Sequence, residues 1–66
     1  MDCVYLVFDD IHGLQCICKE KEKAKEIVKN IAFNQYDLPK DTPLDYNTDS
    51  RWGWESISWY DRVGVN

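Results

Sequence analysis

Residues 51–60 (RWGWESISWY) constrain the fold of this chain more than any other segment. Three Trp and one Tyr fall within nine residues of it. Aromatic and β-branched residues at two-residue spacing predict a strand, whose side chains alternate between two faces. Three rings share one face: Trp52, Trp54 and Tyr60. Ile57 and Trp59 lie on the other, so whichever face meets the core, large side chains on the opposite face need a second cover.

Length and charge limit the classes of function. A chain of 66 residues is one small domain, which buries roughly 60% of its unfolded surface and leaves little room for an internal active site. Its net charge of −4 disfavours direct binding of nucleic acid, because phosphate contacts depend on Lys and Arg, and it fits a partner with a basic surface. The sequence has no long apolar run and no signal-peptide leader, which predicts a cytoplasmic protein without membrane association.

The first part of the chain predicts a β-hairpin. Residues 4–8 (VYLVF) give the strongest strand signal, and both faces of this strand (about residues 3–9) are apolar, which indicates a central place in a sheet. Residues 9–13 form a turn signal, with Gly13 available for a positive φ. Residues 14–18 (LQCIC) then alternate as a second strand.

Residues 20–35 predict one amphipathic helix. Side chains at three- and four-residue spacing form a stripe along one face: Ala24, Ile27, Val28, Ile31, Ala32 and Gln35. Lys and Glu fill the other face, as is typical of a solvated surface. The helix must end before Pro39, and residues 37–50 follow as a long loop with apolar anchors at Leu38, Leu44 and Tyr46.

These elements assemble into a single domain over residues 1–66. The hairpin sets the first two strands antiparallel, and a right-handed crossover through the helix places the strand at about 52–60 beside the first. We therefore predict an α+β fold of ββαβ order, with a three-stranded, mainly antiparallel sheet (order 2-1-3) and one helix on one face. Residues 61–66 are predicted to form a short tail.

Possible zinc ligands are present, but their spacing is unfavourable. The four candidates are Cys3, Cys16, Cys18 and His12. Two cysteines separated by one residue on a strand place their sulfurs on one face about 6.5–7 Å apart, which is awkward for tetrahedral coordination. We predict reduced thiols in a reducing compartment and no metal.

No catalytic constellation stands out in the sequence. Asp45, Asn47 and Asp49 match the first ligands of a calcium loop, but Ser50 stands where that loop requires Gly. A Ser–His–Asp set, a Gly-rich phosphate loop and paired carboxylates are missing, and His12 lies in a predicted turn where a histidine is usually just solvated. We predict that the chain is not an enzyme and needs no cofactor.

Residues 4–28 resemble the start of a class of short proteins encoded by bacteriophages and mobile elements. The matching features are the strand and turn VYLVFDD-IHG, the strand LQCIC and the helix start KEKAKEIV. Phage proteins of this size and charge often bind and inhibit host enzymes, including CRISPR nucleases, restriction enzymes and RNA polymerase. The resemblance implies a phage-encoded inhibitor in the host cytoplasm, an anti-CRISPR candidate, and assigns no residue a role.

Two functions from different classes follow. The first is a small acidic protein-binding module that inhibits or modulates a host defence or nucleic-acid-processing enzyme. The second is a structural module that associates with itself and buries its aromatic sheet face in a homodimer. The molecular mass in solution separates them, since a monomer with exposed rings favours a partner and a tight dimer favours self-association.

The predicted partner-binding residues are rings that face away from the helix, surrounded by a rim of carboxylates. The rings are Trp52, Trp54, Tyr60 and Tyr5, and the rim consists of Asp9, Asp10, Asp45, Asp49 and Glu55. The alternative is that Leu38, Leu44 and Tyr46 fold over these rings. In that case replacing Trp52 or Trp54 unfolds the protein instead of weakening a complex.

Overall fold

The computed structural model describes residues 2–65 and has an α+β fold. Its strands and its helix follow each other along the chain: β1 (Asp2–Asp9), β2 (Gly13–Cys18), α1 (Lys21–Asn30), β3 (Tyr46–Asn47), β4 (Arg51–Trp54) and β5 (Ser58–Val65). A π-helical turn, Ile31–Gln35, continues α1. Gly13, at the end of the first turn, takes a φ of 75°, as its place in the sequence predicts.

The five strands form one antiparallel sheet in the order β2-β1-β5-β4-β3. β1 pairs with β2 on one side and with β5 on the other, which explains why both of its faces are apolar. The last strand therefore lies beside the first, as expected. The three-stranded ββαβ description is wrong, because β3 and β4 add two strands at one edge of the sheet.

The segment predicted as one strand over residues 52–60 is a hairpin. β4 ends at Trp54, and β5 begins at Ser58. The Ile57 amide donates to the Trp54 carbonyl across the turn at 3.2 Å. Ser56 takes a φ of 61° at this turn, a left-handed conformation that serine does not favour and that the sequence therefore does not predict.

The end of the described chain belongs to the sheet. The sequence predicts a tail over residues 61–66, but β5 runs on to Val65. Its backbone groups find partners because β1 is equally long, and Val65 is the register partner of Asp2. The tail prediction is wrong for residues 61–65, and residue 66 lies outside the described residues.

α1 and the π-helical turn occupy most of residues 20–35. The wide turn is visible in the hydrogen bond from the Tyr36 amide to the Ile31 carbonyl, at 3.2 Å. Asp37 then takes a φ of 51°, which ends the helix two residues before Pro39. Within residues 2–65, no helix combines the length and the apolar character that crossing a membrane requires.

The hydrophobic core lies between α1 and one face of the sheet, which we call the helix face. Its buried apolar side chains come from both layers: Tyr5, Val7, Cys18, Ala24, Val28, Ile31, Ala32, Trp52, Trp54 and Tyr60. The Ser58 hydroxyl, also buried, donates to the Val28 carbonyl at 2.9 Å and links β5 to the helix. Small helix residues thus pack over large sheet rings, which lets α1 lie close to the strands.

Candidate protein interface

The four rings predicted to bind a partner lie in the core beneath α1. Tyr5, Trp52, Trp54 and Tyr60 are between 1% and 8% exposed. Tyr5 meets Tyr60 edge-on with ring centroids 5.2 Å apart, and Trp52 stacks on Tyr60 at 6.0 Å. The expectation that these rings face away from the helix is therefore wrong. The register of β4, β5 and β1 puts them all on the helix face.

The helix supplies the cover over Trp52. The ammonium groups of Lys25 and Lys29 lie 5.3 Å and 5.8 Å from the centroid of the indole. A lysine in this position lays its aliphatic stem on the ring and keeps its charge in water, so both packing and a cation–π attraction stabilise the contact. Part of the charged side of α1 thus covers the core.

The loop between the helix and β3 supplies the cover over Trp54. The indole Nε1 donates to the Thr42 carbonyl at 3.3 Å, and Leu38 and Leu44 pack against the core. Two of the three expected loop anchors therefore lie where the alternative interpretation puts them. Tyr46 differs, because it is the register partner of Gly53 and its side chain points to the opposite face of the sheet.

That opposite face, which we call the open face, has no element packed on it within residues 2–65. The strand registers place eight apolar side chains there: Val4, Leu6, Phe8, Leu14, Ile17, Trp59, Val63 and Val65. Ile17 is 61% exposed, Leu14 50% and Val63 42%. The water-facing side of an antiparallel sheet is normally polar, so this apolar face is the candidate interaction site.

Phe8 and Trp59 form the largest apolar unit of the open face. They are register partners in β1 and β5, and their rings stack with centroids 5.7 Å apart and planes 16° from parallel. Gly53, beside Trp59 on β4, contributes no side chain to cover the indole. Both rings are partly buried. Aromatic rings at protein interfaces contribute strongly to binding, because they bury a large area at little cost in conformational entropy.

A polar cluster lies on the open face itself and interrupts its apolar surface, since Asp61 is on the central strand β5, opposite Leu6. Arg51 and Asp61 form a bidentate ion pair, with Nε–Oδ1 at 2.6 Å and Nη2–Oδ2 at 3.3 Å. The Arg51 guanidinium also lies over the Tyr46 ring, 5.1 Å from its centroid. Hydrogen bonding to Asp61 raises the pKa of Arg51, and the two charges compensate each other. The pair therefore adds no net charge to the face.

The structure brings three of the five predicted rim carboxylates together. Asp10 and Glu55 are exposed at the tips of two neighbouring turns, joined by the hydrogen bond from the Asp10 amide to the Ile57 carbonyl at 3.1 Å. The Asp45 carboxylate accepts the Glu55 amide at 2.9 Å. These three make an acidic end next to the stacked rings. Asp49 lies apart, in the turn between β3 and β4.

Asp9 is 2% exposed and holds the β1–β2 turn together. Its Oδ1 accepts the amides of Ile11 at 2.8 Å and His12 at 2.6 Å, and its Oδ2 lies 3.1 Å from His12 Nδ1. Burial alone raises the pKa of the Asp9 carboxyl, but the hydrogen bonds outweigh burial and hold that pKa below its ordinary value of 3.8. Asp9 is therefore a structural part of the turn and cannot serve as an exposed rim.

Asp9→Asn is expected to lower the free energy of unfolding at pH 7 by about 1.5–3 kcal/mol, the usual contribution of hydrogen bonds to a charged group. Because the folded-state pKa is lowered, the contribution of the carboxylate is complete above pH 3.8 and is lost as the pH falls through the folded-state value. Urea unfolding of wild type and Asp9→Asn should show a difference in the free energy of unfolding that becomes smaller below pH 3.8. Asp10→Asn, at the exposed neighbour, is the control. A difference between wild type and Asp9→Asn that does not depend on pH would contradict this role of Asp9.

The three cysteines are free thiols on or near the helix face. The sulfurs of Cys16 and Cys18 are 3.9 Å apart, closer than the strand repeat predicts, because the two side chains lean toward each other. Burial raises the pKa of the Cys16 thiol, which favours its protonated form. In the described part of the chain, no group of three or more His, Cys, Asp or Glu is placed to hold a metal ion. That the protein works without metal stays a prediction.

The sequence contains a signal for the open face that the prediction of site residues does not use. Residues 4–8 are apolar on both faces, and Trp59 falls on the face opposite Trp52. One helix can cover only one side of a sheet, so apolar residues on both sides of neighbouring strands already require a second cover. That argument leads to Phe8 and Trp59 as the rings on the face that the helix does not cover.

No family model matches the chain, and neither a curated protein nor a solved structure has significant similarity to it. The open face, its stacked rings and the acidic end are accordingly the features on which a function can be based.

Proposed function

We propose that this chain is a small, acidic, non-enzymatic protein-binding module that docks a partner on its open face. One observation carries the proposal: an apolar sheet face, with Phe8 stacked on Trp59, has nothing packed on it within residues 2–65. Each Å² of apolar surface that a partner removes from water stabilises the complex by about 25 cal/mol, before the costs of association. A domain whose sheet is covered by a helix on one face only can bury its second apolar face by binding another protein.

Charge placement indicates the chemistry of the partner. The acidic end formed by Asp10, Asp45 and Glu55 lies beside the stacked rings, whereas most lysines are on α1, on the other side of the sheet. The partner that fits has an apolar patch flanked by Lys or Arg. Carboxylates at the margin of an interface mainly accelerate association with such a surface. They also disfavour direct docking of nucleic acid on this face.

A host enzyme is the specific partner class that we propose. Enzymes that process nucleic acid carry the basic surfaces that an acidic binding face complements. The resemblance of residues 4–28 to short phage-encoded proteins supports the same direction, with a CRISPR nuclease, a restriction enzyme or RNA polymerase as the target in the host cytoplasm. Inhibition then follows from occupying a basic surface that the enzyme needs for its substrate.

Fluorescence quenching tests the accessibility of the ring pair without any partner. Trp59 should be quenched by acrylamide, a neutral quencher that the acidic chain does not repel, whereas Trp52 and Trp54 should be protected. Trp59→Phe keeps an aromatic ring at this position, and we expect it to remove most of the quenchable signal. Equal quenching of wild type and Trp59→Phe would contradict the exposure of this ring.

Binding is tested with matched variants. Wild type, Trp59→Ser and Lys23→Ser serve as baits in host lysate, and any captured protein is purified and titrated by calorimetry. Lys23 is the control, because its side chain is 62% exposed on α1, away from the open face. Trp59→Ser should weaken binding by at least about 2 kcal/mol while the variant stays folded at the temperature of the titration. Equal binding by all three proteins would exclude the open face as the site.

Self-association through the same face is the second candidate function. The compensated pair of Arg51 and Asp61 favours it, since a second copy that covers this part of the face meets a neutral ion pair instead of an unpaired charge. This candidate makes a different prediction. Trp59 would become protected from acrylamide as the protein concentration rises, with no other protein present.

A further inference from the structure

We propose that a second copy of the chain pairs antiparallel with the free edge of β2, across a two-fold axis at Ile17. The sheet has two edges, β2 and β3. β3 is only two residues long and is flanked by Asp45 and Asp49, as is typical of an edge protected against pairing. β2 spans six residues, GLQCIC, and contains neither a charged residue nor a proline. The edge at β2 is thus the longer and the less protected one.

The hydrogen bonds of the sheet show which backbone groups of β2 point outward. The Asp10 amide donates to the Ile57 carbonyl, so even-numbered residues of β1 direct their backbone groups toward β5. Odd-numbered residues of β1 therefore face β2. Their register partners Cys16 and Cys18 are bonded to β1, and the N–H and C=O of Ile17, between them, point to the free edge.

The irregularity of β2 limits where a second strand can pair. The register with β1 shifts between Val7 and Phe8, which leaves an extra residue in β2 before Cys16. Bulges of this kind interrupt a ladder and blunt an edge. The regular part, residues 16–18, is centred on Ile17. A two-fold axis there pairs Ile17 with its own copy through two N–H···O=C bonds, so the complex should be weak and in fast exchange.

The surroundings of the edge are self-complementary, as an isologous interface requires. On the open face, the 61% exposed Ile17 side chain would pack on its own copy. On the helix face, the groove beside β2 is lined by neutral side chains, most of them carboxamides: Gln15, Cys16, Ile27, Asn30, Ile31, Asn34 and Gln35. A carboxamide both donates and accepts, so a facing copy can satisfy it.

The distribution of charge also fits a second copy at this edge. The acidic segment over residues 37–50, predicted as a loop, contains β3, at the opposite edge of the sheet. Antiparallel pairing at β2 keeps the two loops at the far ends of a ten-stranded sheet, and it puts the two Asp10 turns at opposite ends of the seam. The repulsion expected from a net charge of −4 on each copy is thereby kept small.

A two-fold pair of this kind would join two open faces into one continuous apolar surface. The pairing uses backbone groups and the proposed partner site uses ring side chains, so either can hold without the other. Trp59→Ser separates them: it should abolish partner binding and leave the dimer intact.

Ile17→Pro and Ile17→Ala test the pairing as a matched set. Both remove the exposed side chain, but only Pro removes the outward N–H, and it breaks no bond to β1. Sedimentation equilibrium should give a dimer constant for Ile17→Ala within about fivefold of wild type, and Ile17→Pro should weaken dimerisation at least tenfold. Unchanged far-UV circular dichroism verifies that both variants are folded.

Amide exchange of wild type gives a second readout at the same residue. The Ile17 N–H should exchange rapidly in dilute protein and slow at least tenfold as dimer forms, while the amides of Cys16 and Cys18 stay protected throughout. A chain that remains monomeric at millimolar concentration overturns the proposal. So does a dimer that survives Ile17→Pro, or one that Trp59→Ser dissociates, since the latter would be held by the open face.

Discussion

Gly53→Ala should remove a large part of the free energy of unfolding. Gly53 takes a φ of 139°, and an added Cβ would overlap the Ser58 carbonyl oxygen and lie 2.6 Å from the Trp59 Cα. Neither contact can relax cheaply, because both atoms belong to the backbone of the neighbouring strand. Strained backbone and overpacking together should cost about 3–5 kcal/mol, against a total stability of roughly 3–10 kcal/mol for a domain of this size.

Gly64→Ala is the control for this prediction. It lies in β5, where an added Cβ meets nothing within 4 Å, so its free energy of unfolding should change little. Circular dichroism and urea titration of both variants measure the difference. A Gly53→Ala protein as stable as Gly64→Ala would show that β4 does not approach β5 as closely as the structure has it.

Trp54→Ala is expected to be comparably damaging. The indole is 3% exposed, packs edge-on against Phe33 at 5.4 Å and against Trp52 at 5.7 Å, and donates its N–H to the Thr42 carbonyl. Removing a buried Trp leaves a large cavity and typically costs about 3–5 kcal/mol. Because the ring also anchors the loop, we expect residues 37–50 to lose their amide protection together with the core.

Trp59→Ala provides the comparison on the other face of the sheet. Its side chain is partly buried and less covered than that of Trp54, so the free energy of unfolding should fall by about 1–2 kcal/mol, less than for Trp54→Ala. Urea denaturation followed by far-UV circular dichroism measures the free energy of unfolding of both variants without relying on Trp fluorescence. If Trp59→Ala lowered this free energy more than Trp54→Ala, the assignment of covered and open faces would be reversed.

The sequence predicts the helix, the first hairpin and the central place of β1, because each has a strong local signal. It does not predict the β4–β5 hairpin. The turn between Trp54 and Ser58 contains no Gly, Pro or Asn, and Ser56 adopts its left-handed φ without any compositional signal. Periodicity gives no help either. A three-residue turn keeps the alternation in phase, so one strand and a hairpin both place Trp52, Trp54 and Tyr60 on the same face.

The site residues depend on a choice that alternation alone does not make. A strand pattern separates two faces but does not say which one the helix covers. The prediction correctly groups Trp52, Trp54 and Tyr60 on one face, but it places this face away from the helix. Packing decides the question: the small residues Ala24 and Ala32 of the helix leave room for large rings beneath them. The stripe of α1 therefore indicates a ring-rich helix face.

The pairing of β1 with β5 has a consequence for how the chain reaches its fold. Asp2 is the register partner of Val65, so the central ladder joins the two ends of the described chain. This ladder joins residues about 50–60 positions apart in the sequence, which makes its formation slow compared with the two local hairpins. The ribosome makes β1, β2 and α1 before residues 58–65, so the apolar sides of β1 can gain their lasting cover only after β5 has been made. The sheet therefore closes late, when β5 inserts between β1 and β4.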